Sequence, residues 1–368
     1  MSAIDFVFTG DLVLDEPQPD EWLAGIAPAL HAADVAIGHL EVPHTHHAAS
    51  LRGDVPAPGA DPAHVPAIAR AGFDAVSLAG NHIADCGPVG ISDTLAALDA
   101  ARVAHTGAGM DLASARRPCV IERDAQRIAL LSYNCVGPEA AWASATQAGC
   151  AYVRIDTTDG SPVRPTAPLQ SPDPQSLAEM SDDIARARSH NTLVIVALHK
   201  GIVHTPAVLA PYERAVAHAA IDAGADIVIA HHAHIVRGIE RHRGKPIFHG
   251  LGNGCVVTRA LSPQSDDPAR AAWARKREAL FGFTPDPEYF LAPFHPHAVN
   301  AMLGRVRLLE DGSLRCGFIP VRVDAPGRPR LANAQEVPGI VSYIEEITFA
   351  GGLPPIATDF DGECAWIR

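Results

Sequence analysis

The chain has 368 residues, 47% of them hydrophobic, and a formal net charge of −13. That length suits one large α/β domain or two small ones. The acidic balance argues against a nucleic-acid partner, which needs clustered Lys and Arg, and seven cysteines without a CxxC pair exclude a disulfide framework or a zinc–thiolate site.

The chain opens directly on Ile4-Asp5-Phe6-Val7-Phe8, with no basic and apolar leader. No stretch approaches the ~20 apolar residues of a membrane span, so the cytoplasm is the expected compartment. Short apolar, β-branched runs then alternate with amphipathic stretches, the pattern of strands joined through helices. Strands are expected at Ile4–Phe8, Val35–Gly38, Ala75–Ala79, Arg127–Ser132, Leu193–Leu198 and Ile227–Ala230. Helices are expected near Asp20–Ala32, Pro62–Ala71, Ile91–Ala101, Ser176–Ser189 and Pro211–Ala223. Gly137–Gln175, proline-rich and aperiodic, reads as a long loop over one end of the sheet. Ser262–Pro296, charged and then rich in Pro and Phe, reads as a second insertion. Met302–Leu309 and Ser313–Val323 flank Glu310-Asp311-Gly312, a hairpin signal. Parallel units mixed with antiparallel pairing predict a two-sheet α/β sandwich. It is expected as one domain over residues 1–325, with 326–368 a C-terminal extension packing on it.

The 19 histidines cluster at Gly38–His47, His199–His204 and His231–His234, which suggests metal or proton chemistry. Five motifs each follow a predicted strand: Gly10-Asp11, Gly38-His39-Leu40-Glu41, Gly80-Asn81-His82 with Asp85, His199-Lys200-Gly201, and His231-His232-Ala233-His234. Strand ends of α/β folds converge on one edge, where ligand sites form. Carboxylate, amide and imidazole donors together suit Mn, Fe or Zn better than Mg or Ca.

With Val76-Ser77-Leu78-Ala79-Gly80-Asn81-His82, Asp85 and Gly87, and the run from Gly224-Ala225-Asp226 through Gly238-Ile239-Glu240 to Leu251-Gly252-Asn253, the chain resembles the CapA (poly-γ-glutamate capsule, PGA-cap) family of the calcineurin-like metallophosphatase superfamily. The resemblance spans roughly Phe6 to Val257. It implies a four-layer α/β/β/α metallophosphatase-like sandwich holding one or two divalent transition-metal ions. Asp11 would bind the first metal and Glu41 would bridge. Asn81, His199 and His232 would bind the second metal, His234 the first, and His82 would be the general acid, with a metal-activated water as nucleophile. The chain departs from the family at several positions. His39 stands where Asn is common, Lys200 where Trp is usual, Val203-His204 where Glu-Tyr is usual, Arg237 for Gln and Ala233 for Pro. Val13 stands where many metallophosphatases have another metal histidine.

The function expected is hydrolysis of a small, anionic substrate at an amide, peptide or lactam bond or at a phosphoester. The alternative is a non-catalytic protein assisting poly-γ-glutamate or capsule polymer synthesis or export. His39, Asp85, Lys200, His204, His231 and Arg237 are candidates for extra ligands or substrate contacts, Lys200 and Arg237 as the cations that would favour an anion. No membrane partner is expected, and a homodimer is left open.

Overall fold

A computed structural model describes residues 3–48, 51, 59–124, 126–262 and 268–368. Two sheets face each other. The larger, ten-stranded sheet runs Thr358–Phe360, Ala365–Ile367, Leu314–Asp324, Asn300–Leu308, Ile4–Leu14, Val35–Leu40, Ala75–Ser77 and Ala104–Thr106. Two further strands join off this path: Asn253–Val257 pairs with Ile4–Leu14 and Arg328–Leu331 with Leu314–Asp324. The six-stranded sheet runs Ile239–His242, Lys245–Phe248, Ile227–His232, Leu193–Lys200, Gln126–Asn134 and Cys119–Arg123. Three strands at the centre of each sheet are parallel to one another (Ile4–Leu14, Val35–Leu40 and Ala75–Ser77; Gln126–Asn134, Leu193–Lys200 and Ile227–His232), so their C-terminal ends lie together.

Alternation along each strand builds two apolar layers. Phe6, Phe8 and Ile37 face Leu130, Ile195, Ile229 and Phe248 between the sheets. Val7, Leu12 and Ala36 pack outward with Val65 and Ile68, while Val194, Val196 and Val228 pack with Ile184, Val216 and Ala220. The outer layers are therefore helices: Val65–Ala71 and Gly87–Ala101 on one side, Pro174–Arg188 and Pro211–Asp222 on the other. This is the four-layer α/β/β/α sandwich expected from the sequence. Residues 326–368 add three strands to the large sheet and lay the helix Val337–Ala350 against it.

Two local expectations are corrected. The helix expected over Asp20–Ala32 is two short ones, Pro19–Leu23 and Ala27–Ala32. Gly25 between them meets the strand Arg328–Leu331 so closely that a Cβ would stand 2.2 Å from the Pro329 carbonyl oxygen. Gly137–Gln175 is a packed segment, not an open loop. Ile155–Thr157 pairs with Leu169–Pro172, Trp142 stacks on Tyr152 at 4.2 Å between ring centroids, and Val153, Ile155 and Val163 are buried. Sparse apolar anchors without a period order it, and a periodicity test cannot see them. In the second insertion, residues 263–267 lie outside the described residues, and Pro268–Phe281 forms a helix.

Backbone approach near the C-terminal end of Ile4–Leu14 is unusually close. A Cβ on Gly10 would lie 1.9 Å from the Gly252 carbonyl oxygen, and the next amide, of Asp11, donates to that same oxygen at 3.0 Å. Gly10→Ala is therefore expected to lose about 1–3 kcal/mol, as overpacking does. A denaturant midpoint equal to wild type would contradict this close approach.

Candidate metal centre

The site assembles where the parallel strands of both sheets end. Asp11 lies in register with His39 on one side and with Asn253 on the other. The ladder slips on both sides of Asp11, the kind of bulge that re-aims a side chain at a strand end. Gly80 allows the small sheet to come close, for a Cβ there would be 3.0 Å from His39 Nε2 and 3.4 Å from the His199 ring. His232 and His234 take positive φ, 89° and 54°, a conformation rare for residues with a side chain and concentrated at functional sites.

Three sets of ligand atoms lie close enough to share an ion: Asp11, Glu41 and His234; Glu41, His199 and His232; and Asp11, His39 and His199. Glu41 belongs to the first two, placing it between two groups. His234 Nε2 is 3.5 Å and His199 Nε2 3.9 Å from Glu41 Oε1. Asn81 Oδ1 and His232 Nδ1 both converge on His199 Nε2, at 2.7 and 3.1 Å. His234 Nδ1 lies 2.9 Å from Asn253 Oδ1 and 3.4 Å from Asp11 Oδ2. The His232 amide donates to the Asp11 carboxylate at 3.2 Å.

The donor set fits a cation. His39 Nε2, Glu41 Oε1 and His232 Nε2 are buried without a hydrogen-bond partner among the described residues, whereas buried polar atoms are ordinarily paired. Burial, then neighbouring imidazoles, holds His39, His199 and His232 well below the ordinary histidine range, so they are neutral. Burial, then the Glu41 charge, pushes the Asp11 carboxyl well up. Neutral imidazoles and crowded carboxylates with unshared lone pairs are what a dication stabilises. The His39 tautomer follows from its neighbour. Ser77 Oγ donates to the Gly38 carbonyl at 3.3 Å and so accepts from His39 Nδ1–H at 2.9 Å, which leaves the Nε2 lone pair facing the cluster.

The other sequence candidates divide. His82 Nδ1 donates to the buried Asp85 carboxylate at 2.7 Å, and its ring is partly exposed at the edge of the centre, as is that of His234. His231 stands behind the centre, its Nε2 donating to the Thr9 carbonyl at 3.1 Å and its ring 4.7 Å from that of His39. His204 lies over His234 at 6.0 Å, edge-on to Phe281 and Phe283.

Lys200 and Arg237 are corrected: neither offers its charge to a ligand. Both are fully buried on Glu213, Lys200 Nζ at 2.9 Å from Oε2 and Arg237 Nη1 at 3.5 Å from Oε1. Arg237 also donates to the Val208 and Ile202 carbonyls. Burial alone would raise the Glu213 carboxyl, but the two cations hold it below its ordinary value. Asn253 and Phe294 were not singled out from sequence, yet they contact His234; the Leu251-Gly252-Asn253 motif marks the first, and nothing local marks Phe294.

The family described as "Bacterial capsule synthesis protein PGA_cap" matches residues 5–256. A "Probable polyglutamine synthesis accessory protein" of Mycobacterium tuberculosis is 35% identical over 192 residues, 52% of this chain and 47% of that one. The "PGA biosynthesis protein CapA" of Bacillus subtilis is 26% identical over 256 residues, 67% of this chain and 61% of that one. The chain thus spans about half the length of the curated relatives it matches. Among solved structures, the calcineurin-like phosphoesterase YfkN of Bacillus subtilis aligns over 95% of this chain and 99% of that one, at 11% identity and a TM-score of 0.38. No helix among the described residues is long and apolar enough to cross a membrane.

Away from the centre, burial pushes His44 and His249 down from 6.5 to about 4. Below pH 6.5 the unfolded chain takes up protons that the folded one refuses. Stability is therefore full above that pH and falls as pH drops toward 4. Denaturant midpoints of metal-free protein are expected to decline across this window, and His44→Gln to flatten the decline. A pH-independent midpoint from 6.5 to 4 would refute the buried neutral state.

Proposed function

The chain belongs to the bacterial capsule synthesis protein PGA_cap family, and we propose that this member is a metal-dependent hydrolase acting on a small anionic substrate. The observation that carries the reading is Glu41, common to two ligand sets whose lone pairs converge in a buried pocket. Asp11, Glu41 and His234 would hold one cation, and Glu41, Asn81, His199 and His232 the other. His39 Nε2 would add a donor beside Asp11. This mixture of oxygen and imidazole donors suits Mn, Fe or Zn. Bound cations would polarise the scissile carbonyl or phosphoryl oxygen and bring the pKa of a water toward neutrality.

The chain's own residues orient and move protons. Asp85 accepts from His82 Nδ1–H and so fixes the ring, leaving Nε2 as the atom that can hand a proton to a leaving group at the solvent-facing edge. The His232 amide, donating to Asp11, holds that carboxylate in place. Amide and phosphoester bonds both fit, because each presents an oxygen to polarise and a leaving group to protonate. The names of the relatives favour a second reading, an accessory role in polymer synthesis. The His82–Asp85 pair beside the ligand sets favours catalysis.

Purified protein is expected to carry about one or two transition-metal ions per chain. Supplied with Mn, Fe or Zn, it should hydrolyse p-nitrophenyl phosphate or an acyl p-nitroanilide. His82→Gln should keep the metal and lose ~10²–10⁴-fold in turnover, the usual worth of general acid–base catalysis. His232→Ala should lose metal. Protein that takes up no metal, or loaded protein that cleaves neither substrate class, would rule out the hydrolase.

A further inference from the structure

With Lys200 and Arg237 enclosed, the cation that meets an anionic substrate must come from elsewhere. A cavity of about 190 Å³ starts beside the metal centre. Two of its lining residues touch the ligand His234. Asn253 does so through the 2.9 Å contact to Nδ1, and Phe294 by stacking on the imidazole at 4.8 Å between centroids. From there the wall mixes the apolar side chains of Val256, Ala292 and Val323 with the polar ones of Tyr289 and His295, and Arg322 completes it.

Arg322 differs from Lys200 and Arg237. It is partly exposed, it donates from Nη1 to Asn300 Oδ1 at 3.1 Å, and it forms no carboxylate ion pair among the described residues. The nearby carboxylates are occupied by a different residue: Arg330 holds Asp324 at 2.6 Å and Glu336 at 2.7 Å. A guanidinium has five N–H donors, and the structure uses one of Arg322's. The Asp286 carboxylate, also in the lining, accepts from the Glu288 amide at 3.0 Å. The cavity therefore combines a short apolar wall, one available bidentate cation at its side, and metal-ligating residues at its mouth.

We infer that this cavity is the subsite for the part of the substrate not being attacked, and that it takes a short aliphatic chain ending in a carboxylate or phosphate held by Arg322. The inference rests on the hydrolase reading for the role of the metal centre, while the binding it describes is independent of turnover. Phe294 and Val256 pack the methylene carbons, and Arg322 grips the anionic end with paired hydrogen bonds. The hydrolysable group is thereby left at the His234 end, beside Glu41 and His82.

The test is calorimetric, on metal-loaded protein, with two probes of equal carbon number: glutarate, anionic at both ends, and pentanoate, anionic at one. Glutarate is expected to bind roughly tenfold or more tightly, the usual worth of a charge-assisted pair. Arg322→Gln should abolish that preference with metal content unchanged, and Arg322→Lys, which keeps charge but loses the fork, should retain part of it. Should the Gln variant fail to fold, the Lys variant carries the test, with a severalfold drop expected. Equal binding of the two probes by the wild type, or an undiminished preference in either folded variant, overturns the subsite. Loaded protein that prefers glutarate yet hydrolyses nothing would remove the hydrolase and leave the subsite standing; active protein without the preference does the reverse.

Discussion

The backbone of Gly10 runs against that of Gly252, close enough to leave no room for a side chain, and the geometry of the metal centre depends on that contact. It locks the end of Ile4–Leu14 to the segment that follows the small sheet. Asp11 is thereby held between His39, from a neighbouring strand of its own sheet, and the His232 amide, from the facing one. Gly80, just past the strand Ala75–Ser77, likewise leaves room for the His39 and His199 rings. Close packing makes such contacts unforgiving, because a protein interior has little slack to absorb an added carbon.

What the contact brings together would be unfavourable without a cation. Asp11 and Glu41 are buried side by side, and burial holds the neighbouring His39, His199 and His232 imidazoles neutral, so those three bring no compensating charge. One residue beyond His199, Lys200 shows the opposite arrangement. Lys200, Glu213 and Arg237 form a buried group in which two cations meet one carboxylate, with the Val208 and Ile202 carbonyls and the His249 ring taking further donors. One cluster balances its charges within the protein, whereas the other presents unshared lone pairs to a common point. That contrast, more than the count of histidines, separates a ligand site from a structural ion-pair network.

The centre meets solvent at its partly exposed edge. His82 and His234 are the partly exposed members of the centre, and Phe281, Phe283 and Phe294 gather around His204 and His234 at that opening. An aromatic rim limits water and strengthens electrostatic interactions within. The phenylalanines of Ser262–Pro296 thus serve the site: Phe281 and Phe283 pack on His204, and Phe294 stacks on His234 and lines the adjoining cavity.

The order of the strand endings was legible in the sequence, because each ligand-bearing motif sits next to its own apolar run and strand periodicity is local. Asp11, Glu41, Asn81, His199, His232 and His234 could be named for that reason, and the fold places them together. Whether a neighbour of such a residue faces the site was not legible. Lys200 follows His199 directly, but successive strand residues point to opposite faces, and its partner Glu213 comes from the helix Pro211–Asp222. Arg237 depends likewise on carbonyls at Ile202 and Val208, and Arg322 acquires its place only where Asn253–Val257, the Phe294 segment and Leu314–Asp324 enclose a cavity. Local pattern determined which residues can ligate; long-range pairing decided which charges are sealed away and which remain open to a ligand, since burial and partnership are properties of the assembled chain.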